Sequence, residues 1–377
     1  MKKCVLFISF VLLLLLLSGC KKEKVNSENT KVTLTPTSLP VVTLPPENVA
    51  DQNTDGIDSG QVENQQKLLE YYPIQADVEY IYEGKGNEYA SYKVYTDFLD
   101  SVNNKVQTRT NNGGSETVRV IQIKGGKVSI IYSMNECYYR ENFIDKTSTK
   151  KPEILLMEPL VKGTQWTLPD GRKRYISAVD VKVDTPSGIY KAIEVTTEGK
   201  GDNTKDYYAP KAGLVKSVFN SGGTKISSSL SKINTNTQLK QKIAVYYPDS
   251  DEKMHQESLT LAFRTGDVIR TVLEKALKQE AVKKSYLPLL SANTVINSLY
   301  LGKDKIVYVD FSKDFTEEMN LGSGFEALVL QCITNTLGNY YGVDKVYITI
   351  AGKPYESGHI LMKKGETFKV NMDSLVK

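Results

Sequence analysis

Short runs of alternating apolar and polar residues, separated by glycine-rich turns, dominate residues 67–237. Thr117–Ile123 is one such run; Asn111–Gly114 precedes it and Gly125-Gly126 follows it. Glycine-rich connections between alternating runs are typical of β-hairpins, and the 23 tyrosines suit half-buried strands. Only Ile154–Val161 carries a weak helical pattern. The sequence therefore predicts one antiparallel β-rich domain here, built as a curved sheet or half-barrel.

The texture changes at about Gln238, where strands begin to alternate with helical periodicity. A first helix is expected after Thr265, whose side chain suits the N-cap position. A second is expected over Ser323–Asn339, with Ser323 and Glu326 spaced as a capping box. Strands interleaved with two helices predict an α+β domain over residues 238–377, with both helices on one sheet. The whole chain is thus expected to be α+β.

The N-terminus reads as an export signal. Two lysines precede the apolar run Val5–Leu17, which is too short to span a bilayer comfortably. Residues 1–19 are therefore predicted to be a signal peptide. Leu17-Ser18-Gly19-Cys20 resembles the bacterial lipobox, which implies that Cys20 is acylated (palmitate is the expected chain) and begins the mature protein. The resemblance implies a lipoprotein anchored in the outer leaflet of the cytoplasmic membrane, facing away from the cytoplasm.

Residues 20–66 have the composition of a linker. Thr33–Glu47 is rich in threonine and proline, and small polar residues follow it. Such a composition buries too little apolar surface to offset the entropy of ordering, so a disordered tether is expected. A flexible chain of about 45 residues reaches roughly 35–40 Å on average, which would lift the folded domains off the membrane.

Charge and composition exclude several site classes. A net charge of +4 without clustered basic residues gives no basis for nucleic-acid binding. Cys137 and Cys332 fall in different predicted domains, so both are expected to be reduced and buried. His255, expected in a polar loop, and His359, expected in an exposed turn, are the chain's two histidines. Their spacing offers no metal site, and no cofactor is predicted.

A family resemblance covers roughly Lys242–Asn371. It rests on the blocks VYYP at 245–248, VYVDFSKDF at 307–315, GSGFEA at 322–327, GVDKV at 342–346 and IAGKP at 350–354. In order and spacing these blocks resemble the GerMN domain of sporulation and spore-germination lipoproteins. The motif positions, which we expect to be mostly structural as caps and turns, are Asp310, Phe311, Ser312, Ser323, Glu326, Asn335, Gly342 and Gly352.

No catalytic constellation is predicted. Ser323 lacks a nucleophile elbow, and nothing makes Asp310 and Glu326 converge. The resemblance instead implies a non-catalytic interaction module whose partners are envelope or sporulation proteins. Two alternatives stay open. The β-rich domain is a candidate carrier of a lipid or cell-wall fragment, and the chain is also a candidate regulator of a membrane kinase or transporter.

Overall fold

The structure, a computed structural model, describes residues 67–148, 151–278 and 285–376, which all lie within one compact unit. Cys20, the predicted signal peptide and the predicted linker fall outside the described residues. None of the described helices is long and apolar enough to cross a membrane.

Twelve strands form one large antiparallel sheet with the order β6-β5-β4-β3-β2-β1-β12-β11-β10-β9-β8-β7. Two six-stranded meanders are therefore joined where β1 pairs with β12. The strands are β1 (Glu79–Lys85), β2 (Tyr92–Asp100), β3 (Lys105–Asn111), β4 (Glu116–Lys124), β5 (Lys127–Asn135), β6 (Glu153–Met157), β7 (Gln165–Thr167), β8 (Lys173–Thr185), β9 (Gly188–Glu198), β10 (Asp202–Ala209), β11 (Gly213–Ser221) and β12 (Thr224–Asn234). A 3₁₀ turn at Glu88–Ala90 separates β1 from β2.

The sheet curves until its two edges nearly meet. Trp166 Nε1 and Arg174 Nη1 both donate hydrogen bonds to the carbonyl of Ile154, at 3.0 Å and 2.8 Å, so side chains bridge from the β7–β8 edge to β6. Inner-face side chains from most of the strands surround one cavity of about 460 Å³. The predicted antiparallel, strongly curved sheet is confirmed.

The weak helical pattern near Ile154–Val161 does not correspond to a helix, because the edge strand β6 runs through the start of this segment. Its Glu-Ile-Leu-Leu-Met run pairs with β5, and Leu156 is fully buried in the core. A short apolar run without alternation does not distinguish a strand from a buried helix by periodicity alone.

The C-terminal part is an α+β unit around one core, as predicted. A hairpin of β13 and β14 stands beside a second sheet, in which β15 pairs antiparallel and β17 parallel with β16. The elements are β13 (Leu239–Pro248), β14 (Met254–Phe263), α1 (Ile269–Leu277), β15 (Ile296–Leu301), β16 (Val307–Phe311), α2 (Asp314–Glu317), α3 (Ser323–Tyr341), β17 (Lys345–Ile350), β18 (Lys353–Pro354) and β19 (Phe368–Lys369). The four-residue helix α2 was not predicted.

Both expected helix caps are wrong. Helix α1 starts at Ile269 with Val268 as its N-cap, and helix α3 starts after Gly322; neither N-cap makes a side-chain cap hydrogen bond. The Thr265 hydroxyl instead donates to the carbonyl of Thr96 at 2.8 Å and accepts the Asp77 N–H at 2.7 Å. Backbone partners distant in the sequence, at Asp77 and in β2, thus engage this hydroxyl in place of the helix start.

Among the histidines and cysteines, His255 departs from its predicted position and the two cysteines do not. His255 lies in β14 opposite Tyr247 rather than in a loop, and its Nε2 is 2.7 Å from Asp249 Oδ2. Cys137 and Cys332 are buried as expected, and no disulfide joins them. Burial raises the pKa of Cys137 to about 11 and that of Cys332 to about 12.

Candidate functional site

The end of β16 gathers the first group of motif residues. Asp310 Oδ1 accepts hydrogen bonds from the Thr349 hydroxyl and, at 2.7 Å, from the Gly352 N–H, while its Oδ2 accepts from Asn297 at 2.9 Å. One carboxylate therefore links β15, β16 and the turn after β17. Gly352 has a φ of 78°, a left-handed conformation that favours glycine.

The two residues that follow Asp310 have separate contacts. Phe311 is buried and stacks on Phe315 with ring centroids 4.5 Å apart. The Ser312 hydroxyl accepts the Val295 N–H at 3.0 Å and donates to Asp314 Oδ2 at 2.8 Å. These bonds hold the start of β15 and the start of α2 against the end of β16.

Glu326 lies in the first turn of α3 and is 4% exposed. Its Oε1 accepts hydrogen bonds from the hydroxyls of Tyr355, at 2.8 Å, and Ser357. The carboxylate thus ties the helix to the segment after β18. Ser323, the first residue of α3, is exposed. The two residues of the expected capping box therefore do not cap the helix together.

Asn335 and Gly342 stabilise the second half of α3. Asn335 pairs with the backbone of Asn371 in both directions, donating from Nδ2 to its carbonyl at 2.6 Å and accepting its N–H at 2.9 Å. Gly342 ends the helix in a left-handed conformation, with φ 66° and ψ 42°. The neighbouring Thr336 hydroxyl accepts the Tyr246 N–H at 3.1 Å, so α3 is also bonded to β13.

The motif residues therefore do not assemble into one reactive centre. The Glu326 carboxylate is bonded to Tyr355 and Ser357, and exposed His359 meets this group only through its backbone N–H, which donates to the Ser357 hydroxyl at 3.1 Å. Across the described residues no group of histidine, cysteine and acidic side chains is arranged to hold a metal ion.

A row of three tyrosines crosses the outer face of the C-terminal sheet. Tyr300, Tyr308 and Tyr347 are paired in register across β15, β16 and β17. Ring centroids lie 5.3 Å apart between Tyr300 and Tyr308 and 5.6 Å apart between Tyr308 and Tyr347. The tyrosine row was not predicted from the sequence, although the alternation of side chains within each strand was a usable signal.

The tyrosine row faces away from the core. Val307, Val309 and Phe311 alternate with Tyr308 along β16 and are buried, so the tyrosine points to the opposite side. Tyr300 remains 50% exposed. Tyr308 and Tyr347 are partly buried beside it, and an aromatic row of this kind on a sheet face is a candidate protein-binding surface.

The cavity inside the large sheet is the second candidate site. Tyrosines 72, 80, 82, 92 and 208 line it together with Arg119, Arg174 and Asp206. Its volume of about 460 Å³ falls within the range of small-molecule sites.

Comparison with known proteins relates the C-terminal part to sporulation. A family model named Germane, described as sporulation and spore germination, matches residues 244–356. The tandem GerMN domains of the Bacillus subtilis sporulation protein GerM are 19% identical with a TM-score of 0.26, over 34% of this chain and 46% of that one. The first GerMN domain of GerM is 20% identical with a TM-score of 0.26, over 32% of this chain and 93% of that one.

This chain therefore spans about half the length of the tandem GerM structure. No curated protein matches the sequence. The family match falls within Lys242–Asn371, where the motif blocks predicted it. Residues 244–356 of this chain are therefore identified, by their match to that family model, as a Germane domain.

Proposed function

We propose that this chain is a lipid-anchored, non-catalytic protein of the bacterial cell envelope that acts in sporulation or spore germination. Its Germane domain docks other envelope or sporulation proteins. The observation that carries this proposal is the Germane match over residues 244–356. The motif carboxylates in that domain, Asp310 and Glu326, are bonded to neighbouring groups of the same domain.

The tyrosine row is the surface through which we propose docking. Aromatic side chains are enriched at protein interfaces, where they bury a large area at a small cost in side-chain entropy. Tyr308 is also held in place, because its hydroxyl donates to Asp304 Oδ2 at 2.7 Å. A pre-ordered aromatic row loses little freedom when a partner binds.

The anchor is proposed from the sequence. The Leu-Ser-Gly-Cys end of the apolar run supplies Cys20 for acylation. The threonine- and proline-rich stretch that follows sets the distance between the membrane and the folded domains. Two or three acyl chains give stable membrane attachment, whereas one is marginal. The Germane domain is thus presented to partners at a distance set by the tether.

Complementation of a deletion in a sporulating host tests the docking surface. The variant Tyr300→Ser/Tyr308→Ser/Tyr347→Ser is expected to lower the yield of heat-resistant or germinating spores at least about tenfold, at unchanged protein level. Tyr89→Ser is the matched control, since Tyr89 is 52% exposed and lies in the 3₁₀ turn between β1 and β2, outside the Germane domain. Full complementation by the triple variant would remove the tyrosine row from the proposal, and a deletion without phenotype would remove the sporulation role.

A second pair of variants tests the anchor. Cys20→Ala is expected to release the protein from the membrane fraction, whereas Cys4→Ala, a change within the predicted signal peptide, is expected to leave it membrane-bound. Equal membrane retention of both variants would contradict acylation at Cys20.

The cavity supports a second candidate function. A chamber of about 460 Å³ inside the curved sheet is large enough for a small ligand. In this case the β-rich part carries a lipid or a cell-wall fragment, while the Germane domain recruits partners.

A further inference from the structure

The cavity of the large sheet is built from one continuous inner face. Alternate residues of each strand point inward, as Tyr92, Val94 and Thr96 do in β2, and the lining comes from β1–β6, β8, β10 and β11. The segment that carries Tyr72 and Pro73 contributes from the side. A cavity lined in this way is part of the fold rather than a packing defect between two elements.

Several hydrogen-bonding groups that line the cavity are unused. Within the described chain, the hydroxyls of Tyr72, Tyr80, Tyr92 and Tyr208 have no protein hydrogen-bond partner, whereas the Tyr82 hydroxyl donates to the Leu214 carbonyl at 2.7 Å. Burial raises the pKa of Tyr72 and of Tyr80 to about 12. Both phenols are therefore protonated at neutral pH and available as donors.

One lining guanidinium is also unpaired. Arg174 bonds Thr197, Ile154 and Glu153, but Arg119 on β4 has no ion pair or side-chain hydrogen bond to any residue that the structure describes. Arg119 is partly buried. A partly desolvated guanidinium without a partner is unfavourable, and an oxyanion is the group that satisfies it best.

The rest of the lining limits the charge that the cavity can accept. Arg174 is already neutralised by Glu153 at 3.2 Å. Burial raises the pKa of Asp206, which favours its uncharged form, and its Oδ1 accepts a hydrogen bond from the Ser217 hydroxyl at 2.6 Å. One free guanidinium therefore faces the ligand, which matches a singly charged, planar carboxylate in fork geometry. A doubly charged phosphate would leave part of its charge unpaired.

We propose that the cavity binds a small amphipathic carboxylate, with the carboxylate group on Arg119 and its body against the tyrosines. This inference rests on the second candidate function, in which the β-rich part carries a ligand. The tyrosine rings supply apolar contact and their free hydroxyls supply donors for polar groups on the body. A fatty acid and an acidic sugar share this chemistry.

Titration calorimetry on the mature chain carrying Cys20→Ser tests the proposal with two pairs of probes. Octanoate is compared with octanol, and N-acetylmuramic acid with N-acetylglucosamine. We expect one acid to bind saturably and at least about tenfold more tightly than its neutral analogue; which acid binds identifies a lipid or a cell-wall source. Arg119→Gln is expected to remove that preference, and Arg119→Lys to retain part of it.

Arg172→Gln is the matched control, because Arg172 is exposed and paired with Asp170 outside the cavity. It should leave binding unchanged. Equal affinity for acid and neutral probes, or full acid binding by Arg119→Gln, overturns the inference while the carrier function stands. If none of the four probes binds, both the inference and the carrier function fail. The acid preference of the unmutated protein decides the matter even if Arg119→Gln does not fold.

Discussion

The guanidinium of Arg140 lies 2.8 Å from the carboxylate of Asp97, and their side chains are only 1% and 0% exposed. Asp97 belongs to β2 of the large sheet, whereas Arg140 also donates to the carbonyls of Arg264 and Asp267 beyond the end of β14. The guanidinium carbon lies 4.8 Å from the ring centroid of Phe263. This buried pair thus couples the large sheet to the C-terminal part.

Replacing Arg140 by methionine is expected to cost about 3–5 kcal/mol of unfolding free energy, since it leaves a buried carboxylate short of a partner and several carbonyls without donors. Urea unfolding measures the loss. The exposed pair Arg172–Asp170, 2.8 Å apart, is the control: Arg172→Met should change stability by less than about 1 kcal/mol. Similar losses in the two variants would contradict a special role for Arg140.

Gly338 is expected to resist replacement although it lies inside helix α3. A Cβ atom there would come within 2.3 Å of Val370 Cγ2 and 2.8 Å of the Val343 carbonyl. Alanine gains about 1 kcal/mol of helix propensity, but overpacking costs about 1–3 kcal/mol, so Gly338→Ala should lower the melting temperature.

Gly324 in the same helix provides the comparison. The nearest atoms to its Cβ position are the carboxylate oxygens of Glu252, at 3.3 Å, which belong to a flexible and exposed side chain. Gly324→Ala should therefore be neutral or stabilising. Adding Val370→Ala to Gly338→Ala should recover part of the loss; if it recovers none, contact with Val370 is not the cause.

The sequence predicted most of the elements because their signals are local. Glycine turns and alternation located the long strands, and an apolar stripe located α3. The three-residue strand β7 was too short to be recognised in the sequence, and β6 lacks the alternation of apolar and polar residues. The missed contacts are those between distant parts of the chain: Glu326 bonds Tyr355, 29 residues away, rather than its own helix start. A capping-box pattern does not report such a competing partner.

The candidate surfaces were missed for the same reason. The tyrosine row exists only because β16 pairs in parallel with β17 across the length of α3, which brings Tyr308 beside Tyr347. Arg119 becomes a cavity residue only when the twelve strands curve round it. Register and curvature are properties of the assembled sheet, so the residues were visible in the sequence but their neighbours were not.

The two buried cysteines are expected to be unreactive in the folded protein. Burial raises the pKa of Cys137 to about 11 and of Cys332 to about 12, so little thiolate, the reactive species, exists at pH 8. In the mature chain carrying Cys20→Ser, iodoacetamide should label neither thiol natively and both in denaturant, as read by intact mass. Rapid native labelling of one thiol would show that its surroundings open readily.

Asp77, whose carboxylate bonds Arg264 and Thr265 after the end of β14, is expected to make the stability of the protein depend on pH. Partial burial alone would raise its pKa, but the Thr265 N–H, 2.8 Å from Oδ1, and Arg264, 2.7 Å from Oδ2, hold the pKa below its usual value. A lowered pKa in the folded state stabilises the protein above the unfolded-state pKa, about 4. That contribution is lost as the pH falls through the folded-state pKa.

Asp77→Asn should therefore cost about 1–2 kcal/mol at pH 7, and the difference from the unmutated protein should shrink below about pH 4. Thermal melts across this range measure both values. Asp145→Asn is the control, since that carboxylate is 90% exposed and lies 3.6 Å from Lys105. A difference between Asp77→Asn and the unmutated protein that stays constant with pH would contradict the lowered pKa.

Glu326 tests whether a conspicuous motif carboxylate supports the Germane domain or acts at its surface. Glu326→Ala leaves the hydroxyl of Tyr355, a fully buried residue, without its carboxylate partner, and should cost about 1–3 kcal/mol. Glu326→Gln keeps an acceptor and should cost less. The neighbouring exposed Glu356 is the control, and Glu356→Ala should be neutral.

Urea unfolding and spore yield are measured together for these variants. A loss of spores that follows the loss of stability indicates a structural residue. Spores lost by Glu326→Gln at full stability would instead make this carboxylate a functional group, against the non-catalytic, structural role assigned to it.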